Sequence, residues 1–284
     1  MEARMGEWQL DKTYMFRGDL VRYGTFGDGP AIVLVHGTPF SSYVWHRVAP
    51  HLADRHRVYF FDLLGYGRSE KREGQDVSLG VQHLLLAELL DHWALDRPHV
   101  VAHDFGGTTA LRTHLLGGRD FQTLTLIDPV AVAPWGIGLD RHVRGHEEAF
   151  RSLPRDIHQA ILSTYIRGAI NRELPEDELA PYLQPWLDDA GQAGFYRQMT
   201  QFDQRWTDEV EPFYHETRCP TLILWGEQDR WLPIEHGRRL AGLIEHAHFM
   251  PIAGAGHLVQ EDAPEALVAA ILGFVNAEDV TITG

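Results

Sequence analysis

The sequence predicts an α/β fold: a mostly parallel central sheet flanked by helices, with a helical cap inserted late in the chain. Three observations predict it. Apolar runs recur at Ala31–Val35, Arg57–Phe61, His99–His103, Thr123–Ile127 and residues 220–225, continuous in the manner of strands buried on both faces. Helical spacing stands between them, as at residues 77–93, where Leu79, Val81, Leu84, Leu85, Leu89, Leu90 and Trp93 recur every three or four positions. From residue 130 to about 218 the strand-helix alternation stops and aromatic residues at helical spacing take over. The expected organisation is a core of residues 1–129 and 219–284 with a cap of residues 130–218, a length that one globular core accommodates.

Residues 14–25 alternate enough for one or two antiparallel strands before the turn Phe26-Gly27-Asp28-Gly29-Pro30. The first buried strand, Ala31–Val35, runs into His36-Gly37-Thr38-Pro39, and a helix begins near Ser41 or Ser42, either of which suits its cap. After Arg57–Phe61 comes a glycine-punctuated loop, residues 62–69, read as structural, because neither a Gly-Lys-Ser/Thr nor a Gly-x-Gly-x-x-Gly spacing is present for a phosphate cradle. The strand of residues 220–225 leads to Asp229, and the strand of residues 247–252 leads to Gly254-Ala255-Gly256-His257. An amphipathic helix over residues 264–275 closes the domain.

The centre of this pattern is His99-Val100-Val101-Ala102-His103-Asp104-Phe105-Gly106-Gly107. A buried strand ends, one residue follows, and two glycines open a helix, which is the outline of a nucleophile elbow. Small neighbours are needed there because helix and strand cross closely around a strained turn. The apex residue is Asp104 rather than serine. Aspartate, with a reference pKa near 3.9, is ionised at neutral pH and attacks without a base to activate it. A carboxylate in this position typically displaces a leaving group from saturated carbon and forms an ester that water then cleaves. Aspartate also caps helices, so the elbow reading leans on the rest of the chain. The Gly37 turn lets the Thr38 amide aim at the space above the elbow, where with the Phe105 amide it would form an oxyanion hole.

The bulk numbers bound the rest. A formal charge of −15 with only two lysines, Lys12 and Lys71, argues against nucleic acid as a partner. A single cysteine, Cys219, leaves no internal disulfide, and the first residues lack the apolar core of a secretory signal, so a cytoplasmic protein is expected. No apolar run reaches membrane-spanning length. Seventeen histidines invite a metal reading, but their spacing matches no zinc pattern, and neither a metal nor a cofactor is expected.

Asp104, Asp229 and His257 each follow a strand, in the order nucleophile, acid, histidine. With these motifs the chain resembles the α/β-hydrolase superfamily over almost its whole length. The elbow and the stretch His36-Gly37-Thr38-Pro39-Phe40-Ser41-Ser42-Tyr43-Val44-Trp45 are similar to the aspartate-nucleophile branch, the haloalkane dehalogenases and epoxide hydrolases. The resemblance implies Asp104 as nucleophile, His257 as the base for the hydrolytic water and Asp229 as the acid that orients it, with Asp128 in reserve because some members carry the acid after the preceding strand. It implies the amides of Thr38 and Phe105 as oxyanion donors, and a pocket drawn from His36, Phe40, Trp135, Tyr165, Trp186, Tyr196 and Trp206.

Two departures matter. Dehalogenases usually hold the halide with a tryptophan after the nucleophile, and many add an asparagine after the His-Gly pair; Phe105 and Thr38 stand there, and a phenyl ring has no N–H. The donor would then come from Trp135, Trp186 or Trp206. Epoxide hydrolases use two cap tyrosines as acids; Tyr196 matches the later one by its surroundings, and Tyr165 the earlier one more loosely. The arginines that fluoroacetate dehalogenases place after the nucleophile are missing. The expectation is a haloalkane dehalogenase-like hydrolase of a small apolar substrate, with epoxide hydrolysis as the alternative and a lyase, cyclase or ligand binder behind it. A monomer or homodimer is expected.

Overall fold

The computed structural model of the chain describes residues 8–136 and 138–283. Eight strands form one sheet: β1 (Lys12–Phe16), β2 (Asp19–Phe26), β3 (Ala31–Val35), β4 (Arg57–Phe61), β5 (His99–His103), β6 (Thr123–Ile127), β7 (Thr221–Gly226) and β8 (His248–Ile252). Their order is β1-β2-β4-β3-β5-β6-β7-β8. The two N-terminal strands are antiparallel to each other, and β2 is antiparallel to β4. From β4 to β8 every neighbouring pair is parallel. Every residue of β5, β6 and β7 is buried, as their continuous apolar runs require of central parallel strands.

The ends of elements differ from the sequence expectation more than their number does. The helix expected after Ser41 is a short 3-10 turn, Ser42–Trp45, with the Ser41 side chain accepting from the Tyr43 amide. The helical spacing of residues 192–206 spans two pieces, a helix that ends at Thr200 and a short turn of helix, Arg205–Asp208. The last helix runs on to Thr283. Helical periodicity does not register such breaks, because the apolar face continues across them.

Between β6 and β7 the described residues form helices and 3-10 turns and no strand, among them Leu139–Gly145, Arg155–Gly168, Glu176–Leu183 and Asp189–Thr200. The insertion is bonded to the core on two sides. On one, the Trp186 indole donates to the Pro39 carbonyl at 2.8 Å. On the other, Asp262 accepts from the amides of Asn171 and Arg172, each at 2.8 Å, and from the Gly256 amide at 2.8 Å. Glu261 beside it takes the Tyr182 hydroxyl at 2.5 Å and Arg172 Nη2 at 2.7 Å. The Leu258 amide donates to the Ala169 carbonyl at 2.9 Å. Among the described residues no helix is long and apolar enough to cross a membrane.

Candidate active site

Asp104 stands between β5 and the helix Phe105–Leu115 with φ 53° and ψ −120°, a conformation costly for any side chain but glycine. The surroundings hold it there. Its amide donates to the Ile127 carbonyl at 3.2 Å, and its carbonyl accepts from Gly107 and Val130. A Cβ at Gly106 would fall 2.4 Å from the Val35 carbonyl oxygen, and one at Gly107 would fall 2.4 Å from Pro129 Cβ, so both glycines are required by close approach.

The carboxylate is held from two directions. Thr38 N–H donates to Oδ1 at 2.7 Å. His257 Nε2 lies 3.3 Å from Oδ2. Among the described residues the Phe105 amide makes no hydrogen bond to this carboxylate, and the Phe105 ring packs on Phe202 and Trp135, with centroids 4.8 and 5.6 Å away. On its far side, His257 Nδ1–H donates to Asp229 Oδ2 at 2.8 Å, and Asp229 Oδ1 accepts from the amides of Trp231 and Leu232 at 2.7 and 3.0 Å. Asp104 is 3 % exposed and His257 fully buried. Burial alone would strip the proton from His257, but the charge of Asp229 and the hydrogen bonds offered by Asp104 and Asp229 outweigh it and hold the imidazole well above the usual histidine range.

His103, unremarked in the sequence, supports the histidine loop: its Nε2–H donates to the His257 carbonyl at 2.9 Å. Burial, followed by the neighbouring His257 charge, pushes its pKa down to about 3, so it remains a neutral donor. Its only sequence signal is its place one residue before Asp104.

The pocket residues divide sharply. Phe40 stacks on Trp231 with centroids 6.1 Å apart, and Trp231 lies 4.8 Å from the Tyr165 ring and 4.9 Å from His257, so these rings form a continuous apolar layer over the histidine. Trp231 was missed in the sequence because it lies in a core loop, although its place two residues after Asp229 was a usable signal. The Tyr165 hydroxyl is pushed well above its usual range by burial and then by the charge of Asp104.

Of the expected leaving-group donors, Tyr196, Trp186 and Trp135 are bonded elsewhere, whereas the Trp206 indole N–H has no hydrogen-bond partner among the described residues. Tyr196 is turned into the insertion and hydrogen-bonds His158 Nδ1 at 3.0 Å. The Trp186 indole is bound to Pro39, and the Trp135 indole donates to Thr207 Oγ1 at 3.0 Å. Trp206 packs over Gly80 and stacks with Arg112 and Arg205. His36 is structural rather than pocket-lining: Leu63 N–H donates to its Nε2 at 2.8 Å and its Nδ1 faces the Gly37 carbonyl, which pins the two loops together. Long-range partners settle each of these cases, and spacing within the chain carries no trace of them.

A polar group unseen in the sequence flanks the Thr38 amide. Thr38 Oγ1 and the Tyr66 hydroxyl both donate to Gln198 Oε1, at 2.7 and 3.0 Å. The reserve carboxyl, Asp128, is fully buried, accepts from the Gly226 amide at 2.9 Å, and lies with Asp229 and His257 in a cluster whose nearest polar atoms are all within 4.8 Å of one another.

The description of the alpha/beta hydrolase fold matches residues 30–264 as a family. The chain belongs to the α/β-hydrolase family. This α/β-hydrolase is similar to a 2-hydroxy-6-oxo-2,4-heptadienoate hydrolase of Pseudomonas putida, 30 % identical over 264 residues that cover 89 % of this chain and 91 % of that one. It is also similar to a haloalkane dehalogenase of Mesorhizobium japonicum, 25 % identical over 87 % of this chain and 84 % of that one. The crystal structure of an alpha/beta hydrolase fold protein from Burkholderia ambifaria superposes on this α/β-hydrolase with a TM-score of 0.92 and 51 % identity, over 94 % of this chain and 98 % of that one.

Proposed function

We propose that this α/β-hydrolase forms an alkyl ester on Asp104 and hydrolyses it, acting first on small apolar haloalkanes. The observation that carries the reading is the held carboxylate: at a strained elbow, one oxygen rests on the Thr38 amide and the other faces His257 Nε2. The hydrolase and dehalogenase among the similar proteins support it.

In this reading Oδ2 attacks the carbon bearing the halogen, and the halide departs with the bonding electrons. Esterification removes the Asp104 charge. His257 then has only one carboxylate, Asp229, hydrogen-bonded to it, and it releases its proton more readily. The neutral imidazole takes a proton from water, whose oxygen attacks the Asp104 carboxyl carbon. Negative charge develops on Oδ1, where the Thr38 amide already points and the Phe105 amide is free to join it. His257 gives that proton to the departing alkoxide oxygen, the alcohol leaves, the proton on the regenerated Asp104 carboxyl passes to the neutral imidazole, and the resting pair is restored. The layer of Phe40, Trp231 and Tyr165 suits an apolar substrate and keeps bulk water away.

A second reading, opening of an epoxide, is favoured by one observation. Tyr165 is the tyrosine of the expected cap set whose ring packs on Trp231, itself packed on His257, and whose hydroxyl feels the Asp104 charge, so it stands on the side of the carboxylate where an opening oxygen would need an acid.

His257→Gln should permit ester formation and block hydrolysis. Incubated separately with bromoalkanes and with styrene-type epoxides, this variant should gain the alkyl mass alone or the whole epoxide mass on the Asp104 peptide, read by intact-protein and peptide mass spectrometry. Adduct on another peptide, or none from a broad panel of both classes, overturns the reading.

A further inference from the structure

Asp128 holds a second carboxyl against the Asp229–His257 pair, and the mechanism above gives it no task. It follows β6 with φ 41°, the left-handed region that disfavours a side chain, as Asp104 does after β5. It is fully buried, and only one of its oxygens is satisfied: Oδ1 accepts from the Gly226 amide at 2.9 Å, while Oδ2 is sealed from solvent with no donor facing it. A carboxylate oxygen in that situation is costly, whereas an O–H in the same place can donate. The acceptor is at hand. Asp229, Asp128 and His257 present polar atoms that all lie within 4.8 Å of one another. Two buried carboxylates this close repel strongly, and the usual resolution is that one keeps its proton.

We propose that Asp128 is a neutral carboxylic acid that shares its proton with Asp229, and that it is a positioning residue which limits how tightly Asp229 holds the proton of His257. The site then carries two acids on the His257 Nδ1 side but one negative charge. Burial, followed by the charge of Asp229, holds the Asp128 carboxyl well above the usual carboxylate range, in agreement with the geometry. The other titratable groups around the cluster are Asp104 and His103 on the far side of His257, and His236, which burial and the Arg239 charge push below the usual histidine range against an opposing pull from Glu235 and Asp229. An O–H donated to Asp229 withdraws charge from the carboxylate that faces His257, so the imidazole sheds its proton sooner once Asp104 is esterified. The inference rests on the pairing of His257 with Asp229 but not on the identity of the substrate, and its test uses no substrate.

The test is the imidazole titration of His257, followed by nitrogen NMR in the whole chain, in wild type, Asp128→Asn and Asp128→Leu. Asn keeps a donor toward Asp229 and an acceptor for Gly226 without charge, so its midpoint should stay within roughly 0.3 pH unit of wild type; Leu removes the donor and should raise the midpoint by about half a unit or more. A fall of about a unit in Asp128→Asn would mean that a negative charge had been removed, and would overturn the proposal. So would an unchanged midpoint in both variants. Should neither variant fold, wild-type chain labelled with carbon-13 at the aspartate carboxyls gives the same decision: a carboxyl resonance in the protonated position at neutral pH supports the proposal, and a full set of ionised aspartates sinks it.

Discussion

The Tyr196 hydroxyl donates to His158 Nδ1 at 3.0 Å, and His158 Nε2–H donates in turn to the Trp186 carbonyl at 2.9 Å. The direction follows from the acceptor: a carbonyl can only accept, so His158, kept neutral by burial, has its proton on Nε2 and its lone pair toward Tyr196. The tyrosine proton is spent inside the insertion. Tyr196→Phe should therefore leave turnover of any accepted substrate within about twofold while costing about 1 kcal/mol of stability, the usual scale for a buried donor removed from its partner. Denaturant melts beside steady-state rates check it; a loss of activity out of proportion to stability would return Tyr196 to the chemistry.

Gly37 approaches Asp104 more closely than any side chain could. A Cβ there would sit 2.2 Å from Asp104 Oδ1, the oxygen bound by the Thr38 amide. Gly37→Ala must push the carboxylate or the loop aside, and a displacement near 1 Å lowers turnover by about a hundredfold. Single-turnover measurement of ester formation should show the loss in that step, with the chain still folded by circular dichroism.

Trp231 joins the apolar layer to the base, with its ring 4.9 Å from His257 and 4.8 Å from Tyr165. Trp231→Ala opens a hole beside both and should lower kcat/KM by about tenfold, chiefly through KM, because the wall that receives an apolar substrate is lost. Trp231→Phe should restore most of it. Equal losses in the two variants would show that the indole N–H, not the ring surface, is what matters.

Stability should fall on both sides of neutrality for different reasons. His103 has its pKa depressed to about 3, so below its unfolded value of about 6.5 the unfolded chain binds a proton that the folded chain refuses. Its contribution is complete above 6.5 and drains away toward pH 3, amounting to about 5 kcal/mol at 1.36 kcal/mol per unit. His257 acts in the opposite sense: its pKa is raised, so its contribution is complete below 6.5 and is lost as pH rises through the folded value. His103→Gln should flatten the acid limb of a plot of Tm against pH and leave the alkaline limb unchanged. A parallel drop across the whole range would mean that only the hydrogen bond to the His257 carbonyl had been lost.

The sheet was legible because its causes are local. Continuous apolar strands, the glycines after Asp104 and the acid and histidine placed just past strand ends each follow from backbone sterics or burial within a few residues. Asp104, His257 and Asp229 fall together because parallel strands deliver their following loops to one edge of the sheet. The lining of the pocket was not legible in the same way. Tyr196 was drawn to the site by its neighbours in sequence, whereas the residue that decides its orientation, His158, lies 38 positions away. Trp231 lies outside the aromatic segment that drew attention, and Gln198 joins Thr38 across 160 positions. Side-chain partners of that kind are fixed by tertiary packing, to which periodicity is blind.

The Asp262 and Glu261 seam has a mechanical meaning. It ties residues 169–182 of the insertion to the loop that carries His257, through several hydrogen bonds worth roughly 1 kcal/mol each. Asp104 is 3 % exposed, so a ligand that is to reach it needs the insertion to give way. Parting the insertion at this seam would drag His257 out of register with Asp104, while the other side is held by the Trp186 indole on Pro39 and the Thr38 and Tyr66 hydroxyls on Gln198, none of which involves His257. The seam is thus placed as a hinge and the Trp186 side as a latch, so that opening at the latch leaves His257 in its place.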